Sequence, residues 1–436
     1  MITFLSLFFG LISGPCPIEL TVNGPVASVE ILVDGKSTGK IQGPPWKTDV
    51  DFGKDLLPHD VVARALDAAG HEIARAQEWI NLPHPLKKAE VVLEGEKGGP
   101  PRAARVVWTN LRGETPLAFT LSFDGQPVTL DASGRGALPA HDLKTLHVLT
   151  AEVQFSSQEV ARKEIAYGGE FGSAISTELT ALPVRVRRGK LEGPEQLGGW
   201  FTAGGQPVAV TAVEEGPAQL FVVRAPLARE MKGTLGFKGF GAGTSRKLGL
   251  GKDQRIRIVF PYASRFDSNA GMTDLFEISP AFTLQQVGFP LLLEDVERQS
   301  LIGGADQQEE ARPRVRIADA VAVAGLEATA ENRRRAVLLI ISGREVDTSD
   351  YDPATVRRYL AALHVPLFVW CLNQPPAGSP LTAWGECQDV TVSRILAHGI
   401  DGIRDELDSQ RIVLVDGRYL PQSLALSPAA AGVDIP

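Results

Sequence analysis

Apolar and polar positions follow two different rhythms along this chain. From residue 19 to about 83 the apolar runs are short and broken by turn formers. Val29-Glu30-Ile31-Leu32-Val33 leads into Asp34-Gly35, where glycine tolerates the positive φ of a tight hairpin. Gly43-Pro44-Pro45 breaks the chain ahead of Trp46. Val61-Val62-Ala63-Arg64-Ala65-Leu66 meets the turn Asp67-Ala68-Ala69-Gly70, and His71-Glu72-Ile73-Ala74-Arg75-Ala76 returns. Such short strands and frequent turns predict a β-sandwich. After Leu182-Pro183 the rhythm changes. Strand-length apolar runs fall at 218–223, 255–260, 336–341, 365–370 and 412–415. The run 336–341 is apolar on both faces, as a central parallel strand requires. Helical stripes lie between the later runs. They are Ile317, Ala320, Val321 and Ala324, then Val356, Tyr359, Leu360 and Leu363 behind the entry signal Asp352-Pro353. A third, Val392, Ile395, Leu396, Ile403 and Leu407, is interrupted at Gly399. Strands alternating with helices predict a doubly wound parallel sheet, closed by 412–415.

The first rhythm recurs. Phe123-Asp124-Gly125 echoes Val33-Asp34-Gly35. Leu138-Pro139-Ala140-His141-Asp142 echoes Leu57-Pro58-His59-Asp60, pairing His59 with His141. Glu159-Val160-Ala161-Arg162 echoes Glu72-Ile73-Ala74-Arg75. The offsets fall between 82 and 90 residues, which points to a second, diverged sandwich. Leu82-Pro83-His84-Pro85 reads as the linker, and Trp46, Trp79 and Trp108 as fillers of the sandwich cores. The expected organisation is multidomain. It comprises a signal-peptide-like segment (1–16), a first sandwich (17–85), a second (86–182) and an α/β domain (183–436).

The stretches VASVEILVDG, GPPWKTDVDFG and LPHDVVARALDAAGHEIARA resemble the bacterial immunoglobulin-like repeats of cell-surface proteins. The stretches RIADAVAVAGLEATAENRRRAVLLIISG, from Arg316, and DPATVRRYLAALHVPLFVWCL, from Asp352, resemble a von Willebrand factor A (VWA) domain. The order of these parts is similar to that of large exported bacterial proteins. The second resemblance implies a Mg²⁺ site of hard oxygen ligands at the carboxyl ends of the strands. The family pattern is Asp-x-Ser-x-Ser after the first strand, a Thr before a helix, and an Asp after the central strand. Here Arg224-Ala225-Pro226-Leu227-Ala228, Val315 and Ser342-Gly343-Arg344 stand at those places. A cation beside Arg224 would meet repulsion without a carboxylate to offset it, so neither metal nor cofactor is expected. Arg224 and Arg344 suit a partner carboxylate, or each pairs with a nearby acid. Asp347, Asp350 and Asp352 suit either a secondary Ca²⁺ site or a solvated loop in which Asp352 caps a helix.

Composition narrows the function. The chain has 436 residues, 44% hydrophobic and 22% charged, with a net charge of −8. That composition excludes a largely disordered protein and argues against nucleic-acid binding. The start, MITFLSLFFGLI, has the length of a signal-peptide apolar region, although no Lys or Arg precedes it and Pro15 and Pro17 follow. A buried strand is its alternative reading, and Pro15 argues against lipidation at Cys16. No run reaches the ~18–20 apolar residues of a spanning helix. Export would allow Cys371 and Cys387 to bridge; two independent thiols are the other reading. The Gly-rich and basic stretch 236–257 lacks a Walker pattern and reads as a surface loop, with a polyanion or acidic partner as its functional alternative. G-x-S-x-G, H-E-x-x-H and C-x-x-C do not occur, and Ser342 has no evident base, so no enzyme is expected.

The expected function is an exported, periplasmic or extracellular, non-catalytic protein-binding or scaffold protein. Its candidate partner surface is Arg224, Arg344 and Tyr351. A self-associating component of a cell-envelope assembly is the alternative, followed by a metal-dependent adhesin.

Overall fold

The computed structural model describes the chain except residues 1, 7–9, 84–86, 96–99, 111–114, 156–159, 169–174, 177–178, 190, 192, 225–253, 264–275, 280, 284–314, 331, 342, 344 and 392. Most of the Gly-rich stretch, Ser342 and Arg344 therefore lie outside the described residues.

Seven strands form the first sandwich: β1 (Ile2–Phe4), β2 (Pro15–Val22), β3 (Ser28–Val33), β4 (Lys36–Ile41), β5 (Lys47–Asp51), β6 (His59–Leu66) and β7 (Glu72–Ile80). They pair antiparallel in the orders β1-β2-β5 and β4-β3-β6-β7. Side chains alternate between strand faces, so every second residue points inward. Ile18 and Leu20 from one sheet meet Val29, Ile31, Val61, Ala63 and Ala65 from the other. Asp34 (φ 50°) and Gly35 (φ 76°) make the expected hairpin turn. Of the apolar start, Ile2–Phe4 forms a strand of this sandwich. β1 pairs with β2, and Ile2 and Phe4 join the core.

Residues 84–179, with 416–418, make a separate compact unit. Its strands are β8 (Lys87–Glu94), β9 (Ala103–Asn110), β10 (Ala118–Phe123), β11 (Gln126–Val128), β12 (Arg135–Ala137), β13 (Leu146–Gln154), β14 (Val160–Gly168) and β15 (Ile175–Ser176). The orders β12-β9-β8 and β11-β10-β13-β14 repeat the first sandwich, and β15 adds an edge. The Asp124-Gly125 turn (φ 49° and 78°) replaces Asp34-Gly35.

The histidine equivalence corrects the expected one. His59 Nδ1 lies 2.8 Å from Asp34 Oδ2, and Asp34 Oδ1 accepts the Asp60 N–H at 2.9 Å. In the second unit the same clasp joins His147 Nδ1 to Asp124 Oδ2 at 2.7 Å and the Val148 N–H to Asp124 Oδ1 at 2.7 Å. His59 thus matches His147, the histidine that faces the Asp-Gly turn. His141 sits in the loop before β13, where its Nδ1 meets the Pro139 carbonyl and its Nε2 accepts the Tyr167 hydroxyl at 2.9 Å. Burial pushes the Tyr167 hydroxyl up to about 12.

Among the described residues, the α/β part of the remaining unit has five parallel strands: β20 (Ala218–Arg224), β21 (Arg255–Ala263), β24 (Arg334–Ile341), β25 (Leu367–Cys371) and β26 (Gln388–Asp389). Two short strands, β22 (Phe276–Ile278) and β23 (Phe282–Thr283), run antiparallel to β21. The sheet order is β22-β21-β20-β24-β25-β26. Helices α1 (Ile317–Ala328) and α2 (Pro353–Ala362) cover one face. There they meet Phe221, Val223, Val337, Leu339 and Ile341. Helix α3 (Ser393–Ser409) covers the other face, where Leu396, Ile400, Ile403 and Leu407 meet Leu220, Val222, Leu338 and Ile340. Both faces are covered, so the strands are apolar without alternation. Gly399 does not interrupt α3. A Cβ there would crowd the indole of Trp370, so the glycine permits a close helix–sheet contact.

Residues 412–415 do not close the parallel sheet as expected. They belong to β27 (Gln410–Asp416), which pairs antiparallel with β19 (Val210–Glu214). With β16 (Leu179–Val186), β17 (Phe201–Ala203), β18 (Gln206–Pro207), β28 (Leu424–Leu426) and β29 (Val433–Asp434), they form two small sheets. These sheets enclose Leu182, Val184, Phe201, Val413 and Val415. A four-residue apolar run carries no signal that separates this small core from the large one.

The first sandwich is joined to the α/β part through Asn81, which is 1% exposed and left-handed (φ 59°). Its Oδ1 accepts the Ile12 N–H, and its Nδ2 donates to the carbonyls of Ile12 and Leu57, each at 2.7 Å. Its own carbonyl accepts the Tyr359 hydroxyl at 2.8 Å. Around this knot Leu11, Leu56 and Leu82 enter the α/β core, and Trp79 packs there rather than inside its own sandwich. Helix α2 ends in a Schellman motif: the His364 N–H bonds to the Ala361 carbonyl and the Val365 N–H to that of Leu360. His364 takes the left-handed position (φ 54°), and its Nε2 donates to the Pro421 carbonyl at 2.8 Å.

Two outcomes follow from these joints. Tyr359→Phe leaves a buried carbonyl without its donor and lowers stability by about 1–2 kcal/mol, read by urea denaturation of the intact chain. Burial holds His364 below the ordinary imidazole range, against the pull of the Pro421 carbonyl. The unfolded chain therefore binds this proton more readily, and stability falls as pH drops through about 6.5. His364→Asn, which suits a left-handed backbone, shows a smaller loss of melting temperature between pH 7.5 and 5.5 than the wild type, from a lower starting value.

Candidate functional site

The sheet order reverses between β20 and β24. In open α/β sheets ligands bind beyond the carboxyl ends of the strands at such a point. The described residues at this rim are the end of β20, the start of α1 and the loop after β24.

That loop leaves β24 through Gly343 (φ 87°), where a Cβ would overlap the Asn373 carbonyl oxygen. Its tip then crosses the N-terminus of α1. A helix start has backbone N–H groups without intrahelical partners, and α1 has no capping side chain of its own. The loop supplies one. Asp347 Oδ1 accepts the Ile317 N–H at 2.9 Å and Oδ2 the Ala318 N–H at 3.1 Å. Ser349 Oγ accepts the Asp319 N–H at 3.2 Å and donates to Asp347 Oδ1 at 2.6 Å. The negative charge also meets the positive end of the helix dipole.

Asp319 makes the return connection from a fully buried position. Its Oδ2 accepts Arg316 Nε at 2.6 Å and the Asp350 N–H at 3.1 Å, and its Oδ1 accepts the Tyr351 N–H at 3.2 Å. Burial pushes this carboxyl above the usual range, while the two backbone donors and Arg316 pull it back. Arg316 Nη2 also donates to Asp350 Oδ2. The Thr348 N–H and hydroxyl both bond to the Val315 carbonyl, at 2.8 and 3.0 Å.

The three loop carboxylates therefore have three separate roles. Asp347 caps α1 and Asp350 pairs with Arg316. Asp352 caps α2 through the Thr355 N–H at 2.9 Å and its hydroxyl at 2.7 Å. The Thr355 hydroxyl and N–H hold Asp352 below the usual carboxylate range. A hard cation needs several free oxygens. Both oxygens of Asp319 and of Asp347 already accept protein donors, so these residues do not fit an ion.

Of the partner-surface residues singled out from sequence, Arg224 and Tyr351 are among the described residues. Arg224, the last residue of β20, is 3% exposed, so it lies inside the protein and not on an open rim. Arg344 lies outside the described residues. Tyr351 is half-buried, and its hydroxyl donates to the Leu11 carbonyl at 3.1 Å, which ties the rim loop to the first sandwich. Sequence reasoning passed over Arg316 and Asp319, whose three-residue spacing at a helix start is a weak signal. It also passed over Val346, which at 78% exposure is the most exposed large apolar residue among the described residues.

Cys371 ends β25 and Cys387 precedes β26, and they form a disulfide with Cα atoms 5.8 Å apart. The closed loop includes Asn373, the residue that abuts Gly343. Thiol titration of the denatured, unreduced chain counts one free thiol, Cys16, and three after reduction. Cys371→Ser together with Cys387→Ser costs about 2–4 kcal/mol by thermal or urea unfolding.

No protein-family model matches the chain, and no curated protein matches it. Among solved structures, the fibronectin(III)-like modules of Clostridium thermocellum CbhA are 17% identical, covering 18% of this chain and 93% of that one, with a TM-score of 0.17. The central fibronectin-III array of RIM-binding protein is 12% identical over 49% of this chain and 79% of that one, with a TM-score of 0.22. A β-glycosidase from Bacteroides vulgatus is 12% identical over 38% of this chain and 24% of that one, with a TM-score of 0.21. Likeness at this level carries no argument about activity.

Proposed function

We propose that the α/β part is a VWA-type domain and that the chain is an exported, non-catalytic binding or scaffold protein. In this reading the loop 345–351 recognises a protein partner without a metal ion. Three things support the domain reading: the sheet order, the antiparallel strand β22 outside β21, and the helices on both faces. β-Sandwich modules and the lack of a membrane-spanning helix among the described residues are compatible with export.

Val346 carries the functional reading. Val346 is apolar and 78% exposed, so a partner that covers it removes apolar surface from water. The loop that presents it is held by the Asp347 cap, the Asp319 bonds and the Thr348–Val315 pair. A fixed loop with an apolar tip beside Glu345 and Asp350, at the carboxyl ends of a parallel sheet, suits a partner with an apolar pocket and basic edges.

The test compares wild type and Val346→Glu in quantitative cross-linking to a native envelope fraction and in sedimentation of the purified chain. A partner or second copy captured by wild type and reduced at least about tenfold by the variant, at equal melting temperature, is the expected result. Equal capture by both chains contradicts the reading.

A further inference from the structure

We propose that Arg316 is a fixed cationic tie between α1 and the loop after β24, so that this loop needs no divalent ion to hold its shape. The expectation of an ion here rests on the VWA-type reading; the tie itself rests on contacts alone. Asp319 is a fully buried carboxylate, and such a charge must be compensated. Arg316 compensates it with Nε and spends its Nη2 on Asp350, so one planar fork joins two carboxylates from two segments.

Asp347, Asp352 and Arg358 have partners of their own. Asp347 faces the N-terminus of α1, Asp352 faces that of α2, and Arg358 pairs with Asp55 at 2.6 Å. The guanidinium therefore adds a charged tie to the Asp347 cap and the Thr348–Val315 pair that also hold the loop. It stays protonated at any physiological pH and does not exchange with solvent as an ion does. The rim should then keep its shape whatever the divalent-ion concentration, and chelation should not release a bound partner.

Hydrogen exchange of residues 345–352 in the intact chain reads the tie directly, without a partner. For the wild type, an excess of EDTA, MgCl₂, MnCl₂ or CaCl₂ leaves exchange and melting temperature unchanged. Arg316→Met exchanges about tenfold faster across this loop, and Arg316→Lys, a point charge without the fork, restores part of the protection by compensating Asp319. A wild-type melting temperature that rises saturably with any of the three ions overturns the proposal. So does Arg316→Met with wild-type exchange, or Arg316→Lys as open as Arg316→Met. Should Arg316→Met not fold, the ion titration and Arg316→Lys still decide. If partner capture survives Val346→Glu while these results hold, the recognition reading fails and the cation assignment stands.

Discussion

A carboxylate buried in protein must find a positive charge and enough donors, and Asp319 organises the carboxyl end of the sheet around that demand. Its donors come from Arg316 on its own segment and from the backbone of Asp350 and Tyr351 on another. To deliver those N–H groups the loop after β24 must lie across the start of α1. That position brings Asp347 onto the uncapped helix end. The same path sets Tyr351 against the carbonyl of Leu11. Cap, loop and contact to the first sandwich thus depend on one ionised group.

The first sandwich is part of this arrangement. Its Leu11, Leu56 and Leu82 enter the core that α1 and α2 cover, and Asn81 satisfies the backbone where three segments meet. A flexible spacer would leave these groups in water. Burying them couples the sandwich to the α/β part, so a change at the rim loop is felt by both.

Much of the architecture was legible in the residues. Asp34-Gly35 and Asp124-Gly125 announced two hairpins because few dipeptides accept two successive positive φ angles. The run 336–341 announced a central strand because only burial on both faces permits it. The limits are equally physical. Residues 412–415 are apolar in either of two cores, and pattern does not record the partner. The His-Asp pair at 141 and 142 matched in spelling, yet the fold selects the histidine opposite the turn, His147. Trp79 faced a neighbour that its own repeat did not contain. At the rim, the Arg316–Asp319 pair left only a three-residue spacing in the sequence, which is a weak signal. Arg224 looked exposed because it follows a strand, and burial at the end of β20 is a tertiary fact. The bond from Asp347 to α1 spans 30 residues, beyond any local capping rule.

The central claim is that a guanidinium, and no ion, balances the buried carboxylate. The most direct measurement is anomalous X-ray scattering from crystals soaked in MnCl₂, with density resolved at Arg316. The account predicts no anomalous peak at the oxygens of Asp319 and Asp347, with the Arg316 fork lying between Asp319 and Asp350. A manganese peak coordinated by Asp319 or Asp347, with Arg316 turned away, would contradict it.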